Sequence, residues 1–233
     1  MSFSNTNLQS SGVALDGISV VSGALVAFNQ GISHVPQSQD DVLTFMLHSM
    51  LATNEKQSNF QDPQAWQVSL VYSFRDFQLA MYGIGFKSES ELEWDTTTLS
   101  SDSTLSKVIV DKIDGESRDA VEQAMKSIGK SNNEEALRLL SSAAKDAQGK
   151  KVTLITGFCS KRTDASVIKL HGYFANTSDS NNNVLESGIT QGTEISHVYM
   201  EAKLKYSVAN HLRDRVKNKV GKHYRSDIKH VRY

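Results

Sequence analysis

A single cysteine, Cys159, stands in a chain of 233 residues, so no intramolecular disulfide can form and no site needing several thiolates can be built. Proline is nearly absent, with 2 residues, which excludes long proline-rich linkers. Charge of one sign is missing too. The 25 Lys and Arg against 26 Asp and Glu leave a net charge of -1, and 39% of residues are hydrophobic, a balance of neither a disordered chain nor a strongly basic nucleic-acid binder. The longest apolar stretch, GVALDGISVVSGALVAF over residues 12–28, contains Asp16 and much Gly, Ser and Ala, and falls short of a membrane-spanning helix. It reads either as a segment packed on the core or as one in contact with lipid. No Lys or Arg precedes it, so the charged start of a secretory signal is missing. The expectation is cytoplasmic synthesis without a signal peptide, leaving membrane association or release by another route open.

What is present is a soluble-protein pattern of helices and strands, long enough to bury a core of its own. Ser38 or Asp40 can cap a helix running to about Gln57, and Val42, Leu43, Phe45, Met46, Leu47, Met50 and Leu51 make it apolar nearly all round. Asp62-Pro63 opens a second helix, carrying Trp66, Leu70, Phe74 and Phe77, before a glycine-bearing segment to Phe86 that reads as a strand. The spacing predicts a helical hairpin from 116–128 and 133–147. The period then changes. Residues 151–160, 166–176 and 195–206 alternate as strands and predict an antiparallel meander, followed by a last helix over 207–224 with Val208, Leu212, Val216 and Val220 on one stripe. The fold class is α+β (mixed α/β): one domain over 39–233, helices packed on a mostly antiparallel sheet, preceded by an N-terminal segment, 1–38.

Sequence signatures of nucleotide or metal chemistry fail on inspection. Gly129-Lys130-Ser131 has the tail of a phosphate loop, but Ala124 stands where its first glycine belongs and a helix precedes it. Gly83 and Gly85 lack the third glycine of a dinucleotide fingerprint, which falls on Ser88. The 7 histidines form no pair at helical ligand spacing, so no metal is expected, and His48 reads as a core histidine. Glu89, Glu91 and Glu93 alternate along one solvated face rather than marking a carboxylate pair. A GxSxG nucleophile elbow is absent.

Two features hold functional interest. From Met200 onward the chain has ten Lys or Arg against three Asp or Glu, a net of +7, while the remainder carries -8. Arg213, Arg215, Lys217, Lys219, Lys222 and Arg225 make the last helix a candidate membrane-binding or anion-binding element. The plainer reading packs its stripe on the sheet and turns its basic face to water or to the acidic remainder. Nucleic acid is not expected, because no RNA-binding aromatic motif or helix-turn-helix pattern accompanies the charge. The second feature is Cys159, at the end of LITGFC and directly before Ser160-Lys161-Arg162. Nearby cations lower a thiol pKa, which suits a nucleophile; the plainer reading is a small core hydrophobe.

The succession of an apolar helix, DPQAW opening the next one, a helical hairpin, LITGFCSKR around the lone cysteine and IKLHGYFA with its aromatic pair Tyr173 and Phe174 resembles the Erwinia virulence factor (Evf-like) family over residues 40–225. That resemblance implies a mixed α/β domain without catalytic machinery. It also implies a palmitate in thioester linkage to the cysteine, which here is Cys159, with no other cofactor. A non-enzymatic, acylated, membrane-associating protein of host interaction follows, its partner a lipid membrane or fatty acyl chain. A single acyl chain needs a second signal for stable anchoring, and the basic helix could supply it. Two alternatives stay open: a cysteine-nucleophile enzyme with His171 or His197 on a neighbouring strand as base, and an inert binding or self-assembly domain. Oligomeric state is not legible in the sequence.

Overall fold

The computed structural model describes residues 14–32, 38–56, 58–63, 65–66, 68–70, 73, 93–178 and 182–232. The apolar run near the N-terminus is a β-hairpin, β1 (Leu15–Val21) and β2 (Ala24–Asn29), closed by Ser22 and Gly23 with Ser22 at a positive φ of 49°. Neither strand alternates apolar and polar, because both faces are covered: Val20 and Leu25 enter one core cluster, Val21 and Val26 the other.

The next helix, α1 (Ser38–Asn54), begins where its capping residues predict and ends three residues before Gln57. Val42, Leu43, Met46 and Leu47 are all buried, as an all-round apolar helix must be. Asp62 caps the helical residues after it, accepting the Ala65 backbone N–H at 2.9 Å. That second helix is fastened to the end of α1 by Trp66, whose Nε1 donates to Asn54 Oδ1 at 2.7 Å. Phe74 and Phe77 of that expected helix, and the strand expected from Phe77 to Phe86, lie outside the described residues.

Then come β3 (Glu93–Thr98), β4 (Ser103–Thr104), α2 (Leu105–Lys112), α3 (Gly115–Ile128) and α4 (Glu134–Ala144). The last is shorter than its apolar stripe suggested. Lys145 bridges to Val152, and the Asp146 carboxylate accepts the Lys150 and Lys151 backbone N–H groups, so the chain turns early into the next strand. The expected meander is present as β5 (Lys151–Lys161), β6 (Ala165–Asn176) and β8 (Glu194–Lys205), with β7 (Gly188–Ile189) pairing β4 apart from it. The C-terminal helix divides at Gly221 (φ 50°) into α5 (Tyr206–Val220) and α6 (His223–Ser226), before β9 (Ile228–His230).

The main sheet runs β3-β8-β6-β5-β2-β1-β9, and every pairing is antiparallel except β2 with β5. Helices α2, α3 and α4 supply the apolar layer on one face, with Leu154, Phe158 and Tyr173 of the sheet. Helices α1 and α5 cover the other, over Phe28, Ile155, Cys159 and Ile168. The result is a mixed α+β fold of three layers.

Candidate functional site

Side chains alternate across a strand, so the register decides which of the sequence candidates can meet. Cys159 stands opposite Ile168 of β6 and Phe28 of β2, and its thiol points into the layer beneath α1 and α5 with no exposed surface. Burial pushes the Cys159 thiol well above its ordinary pKa, and a hydrogen bond with the Ser166 side chain offsets only part of that rise. The expected lowering by Lys161 and Arg162 does not occur. Both cations lie exposed at the strand end, where solvent takes them, while the thiol faces inward. The hydroxyl of Tyr206, the first residue of α5, donates to the Arg162 backbone carbonyl at 3.4 Å, and burial raises its pKa at a position close enough for Ser166 and Cys159 to act on it.

His171 and His197 occupy the opposite face of the sheet. His171 pairs across strands with Thr156 and Tyr199, and His197 with Tyr173 and Asp95. Tyr173 belongs to the α2–α4 layer and Cys159 to the α1–α5 layer. The arrangement of thiol and histidine base expected for a nucleophilic enzyme is therefore not formed: the backbone of the sheet lies between the two groups. What the histidines form is a pair with each other. His171 Nδ1 and His197 Nε2 are 3.0 Å apart, with each residue 8% exposed.

The pair has a defined shape. Its ring centroids lie 5.3 Å apart and the planes differ by 7°. A ring nitrogen sits about 1.15 Å from its centroid, so 3.0 Å is the shortest N–N distance those centroids permit, and the two rings point at one another within a common plane. One nitrogen donates its hydrogen and the other accepts. Tyr199 tilts over His171 at 5.0 Å and Tyr173 lies 5.0 Å from His197. The hydroxyls of Tyr173 and Thr156 are buried beside the pair without a completed hydrogen bond. Burial lowers the pKa of both histidines, to about 3 for His171, and Lys169 and Lys112 add to the effect while Asp95 opposes it at His197. Both imidazoles are neutral at pH 7. Sequence reading placed these histidines on neighbouring strands but did not pair them; counting strand parity from their β-bonded neighbours is the signal that would have done so.

The basic helix divides into two groups. Arg213 makes a bidentate pair with the buried Asp41, at 2.7 and 2.6 Å, and Lys217 pairs with Asp40 at 3.1 Å, both in the first turn of α1. Tyr224 also donates to Asp40, at 2.6 Å. Arg215, Lys219, Lys222 and Arg225 remain exposed. Leu212, Val216 and Val220 of the predicted stripe are buried together with Ala209 and hold α5 on the sheet, while the Val208 side chain lies outside the described residues. Among the described residues no three His, Cys, Asp or Glu side chains converge as metal ligands, and no helix is long and apolar enough to cross a membrane.

The fold and these two faces define a three-layer α+β protein. No protein-family model and no curated protein matches the chain. Among solved structures it is similar to one described as "Structure of the Evf virulence factor", at 11% sequence identity and a TM-score of 0.37, over 89% of this chain and 85% of that one.

Proposed function

We propose that this chain is a non-enzymatic, virulence-factor-like protein that carries a fatty acyl chain on Cys159 and associates with anionic membrane surfaces. The observation that supports the reading is placement: the lone thiol lies in the layer roofed by the basic helix, near the first residue of that helix. An acyl group and a cationic surface on the same side of the sheet can act on one bilayer together, which is what a single chain needs to hold. The chemistry is a thioester exchange with a fatty acyl thioester as donor. The Cys159 sulfur bonds to the acyl carbon, the donor's carbon–sulfur bond breaks, and the thiol proton leaves with the released thiol. Because the thiol is covered, transfer requires the α5 start to lift. Once attached, each methylene withdrawn from water contributes about 0.8 kcal/mol, whether it lies in the protein's apolar layer or in the lipid.

Intact mass of protein made in a host that acylates proteins tests the first half. A palmitoyl group adds about 238 Da, removable by neutral hydroxylamine and absent in Cys159→Ser. An unmodified Cys159 there would remove the acyl reading. Vesicle sedimentation tests the second half: binding to phosphatidylserine vesicles should exceed binding to phosphatidylcholine, weaken with salt, and fall in a Lys219→Glu/Lys222→Glu/Arg225→Glu variant. Equal binding to both lipids would leave the exposed cations without this role.

A further inference from the structure

We propose that the in-line His171–His197 pair is an acid-sensitive latch that holds the α2 and β3 side of the sheet closed while neutral and releases it when both rings become charged. The geometry carries the argument. A shared N–H between two coplanar rings 3.0 Å apart requires at least one unprotonated nitrogen, and a second proton sets two imidazolium ions against each other with almost no water between them.

Among the described residues, the surroundings offer little to absorb that charge. From α2, Lys112 reaches Asp95 and Thr97 of β3, so the carboxylate opposite His197 already has a cation and a hydroxyl on it. From β6, Lys169 adds a positive charge beside His171. Of the remaining neighbours, Tyr173 and Thr156 are uncharged hydroxyls, and Glu201 on β8 is turned to the Tyr199 hydroxyl at 3.4 Å. The pair also lacks the third donor of a transition-metal centre among the described residues, so a proton is the cation its geometry suits.

Release has a defined place. Lys112 ends α2, and its contacts to Asp95 and Thr97 tie that helix to the edge of the sheet beside His197. Ile109 and Ile113 of the same segment share an apolar cluster with Tyr173 and Ile195. Charging the pair pushes β6 and β8 side chains apart beneath that contact, and α2 is the short helix docked over it. Two imidazoles that are neutral when closed and titrate normally when open raise the open-to-closed ratio by up to a hundredfold for each pH unit below about 6.5.

Hydrogen exchange of the full chain between pH 7.5 and 4.5, corrected for intrinsic exchange rates, tests this. Protection of amides in α2 and β3 should fall by more than tenfold per pH unit below 6.5, ahead of α1 and α5. A His171→Gln/His197→Gln variant, in which two amides can hydrogen-bond without charge, should lose that dependence, and His48→Gln should keep it. An equal acid loss in the double Gln variant overturns the latch. Should that variant fail to fold, the wild type decides alone: histidine ring resonances showing His171 and His197 both charged at pH 5.5 with α2 still protected would overturn it, and a two-proton slope confined to α2 and β3 supports it.

Discussion

The Cys159 side chain is covered on all sides, and burial pushes its pKa up, so in the closed molecule almost none of it is thiolate at neutral pH. Its reactivity therefore reports opening rather than chemistry. Alkylation by iodoacetamide at pH 7.5 is expected to run at least about a hundredfold slower in the native protein than in denatured chain. Tyr206→Ala should shorten that gap, since Tyr206 opens the helix that covers the layer holding the thiol. A native rate equal to the denatured one would place the thiol at the surface. The flanking cations misled the sequence reading for a geometric reason: Lys161 shares the Cys159 face but is exposed where the strand ends, and Arg162 lies beyond it, so both charges stand in solvent while the thiol is covered.

Helices α1 and α5 are joined by ion pairs of unequal burial, and the difference ranks them. Asp41 has a side-chain exposure of 4% and depends on Arg213, whereas Asp40 and Lys217 are about one-third exposed. Arg213→Ala leaves a buried carboxylate without its partner and is expected to destabilise the fold by about 3 kcal/mol, read by urea denaturation. Lys217→Ala should cost less than about 1 kcal/mol. Equal losses would mean that the Asp41 pair is as solvated as the other. At this scale the sequence was informative where one face of an element is wet. The α3, α4 and α5 stripes alternate with solvent, and their period can be counted; β5 and β6 are buried on both faces and were marked by their β-rich composition and the turn-rich linkers between them. It failed for β1 and β2, whose residues are apolar on both faces, so that no period survives and SVVSGALVAF looks like any buried segment. The Ser22-Gly23 pair between two apolar runs was the available hairpin signal. The histidine pair was legible in part: both residues were assigned to strands, but which face they share depends on register, and register is set by partners far along the chain.

Acid titration joins both faces of the sheet in one stability curve. His171, His197 and His48 all have lowered pKa values, for each of which burial is the largest cause. The unfolded chain binds protons at these sites near pH 6.5, and the folded protein does not until lower pH, about 3 for His171. Their neutral forms thus favour folding fully above 6.5, and that contribution is lost as pH falls. His171 should cost up to about 1.4 kcal/mol per pH unit, with further shares from His197 and from the more exposed His48. Asp40 adds to the same trend lower down. Burial raises its pKa, but the Tyr224 and Lys217 hydrogen bonds outweigh that and leave it below its ordinary 3.8, so its contribution disappears as pH falls beneath that value. The urea midpoint is therefore expected to be nearly flat from pH 8 to 7 and to fall steadily from 6.5 to 4. A midpoint that rises on acidification would show that the histidines gain, rather than lose, favourable contacts when charged. The buried neutral pair at the centre of the sheet would then be wrong. A curve that falls only below pH 4 would assign the acid loss to carboxylates such as Asp40 and remove the histidines from it.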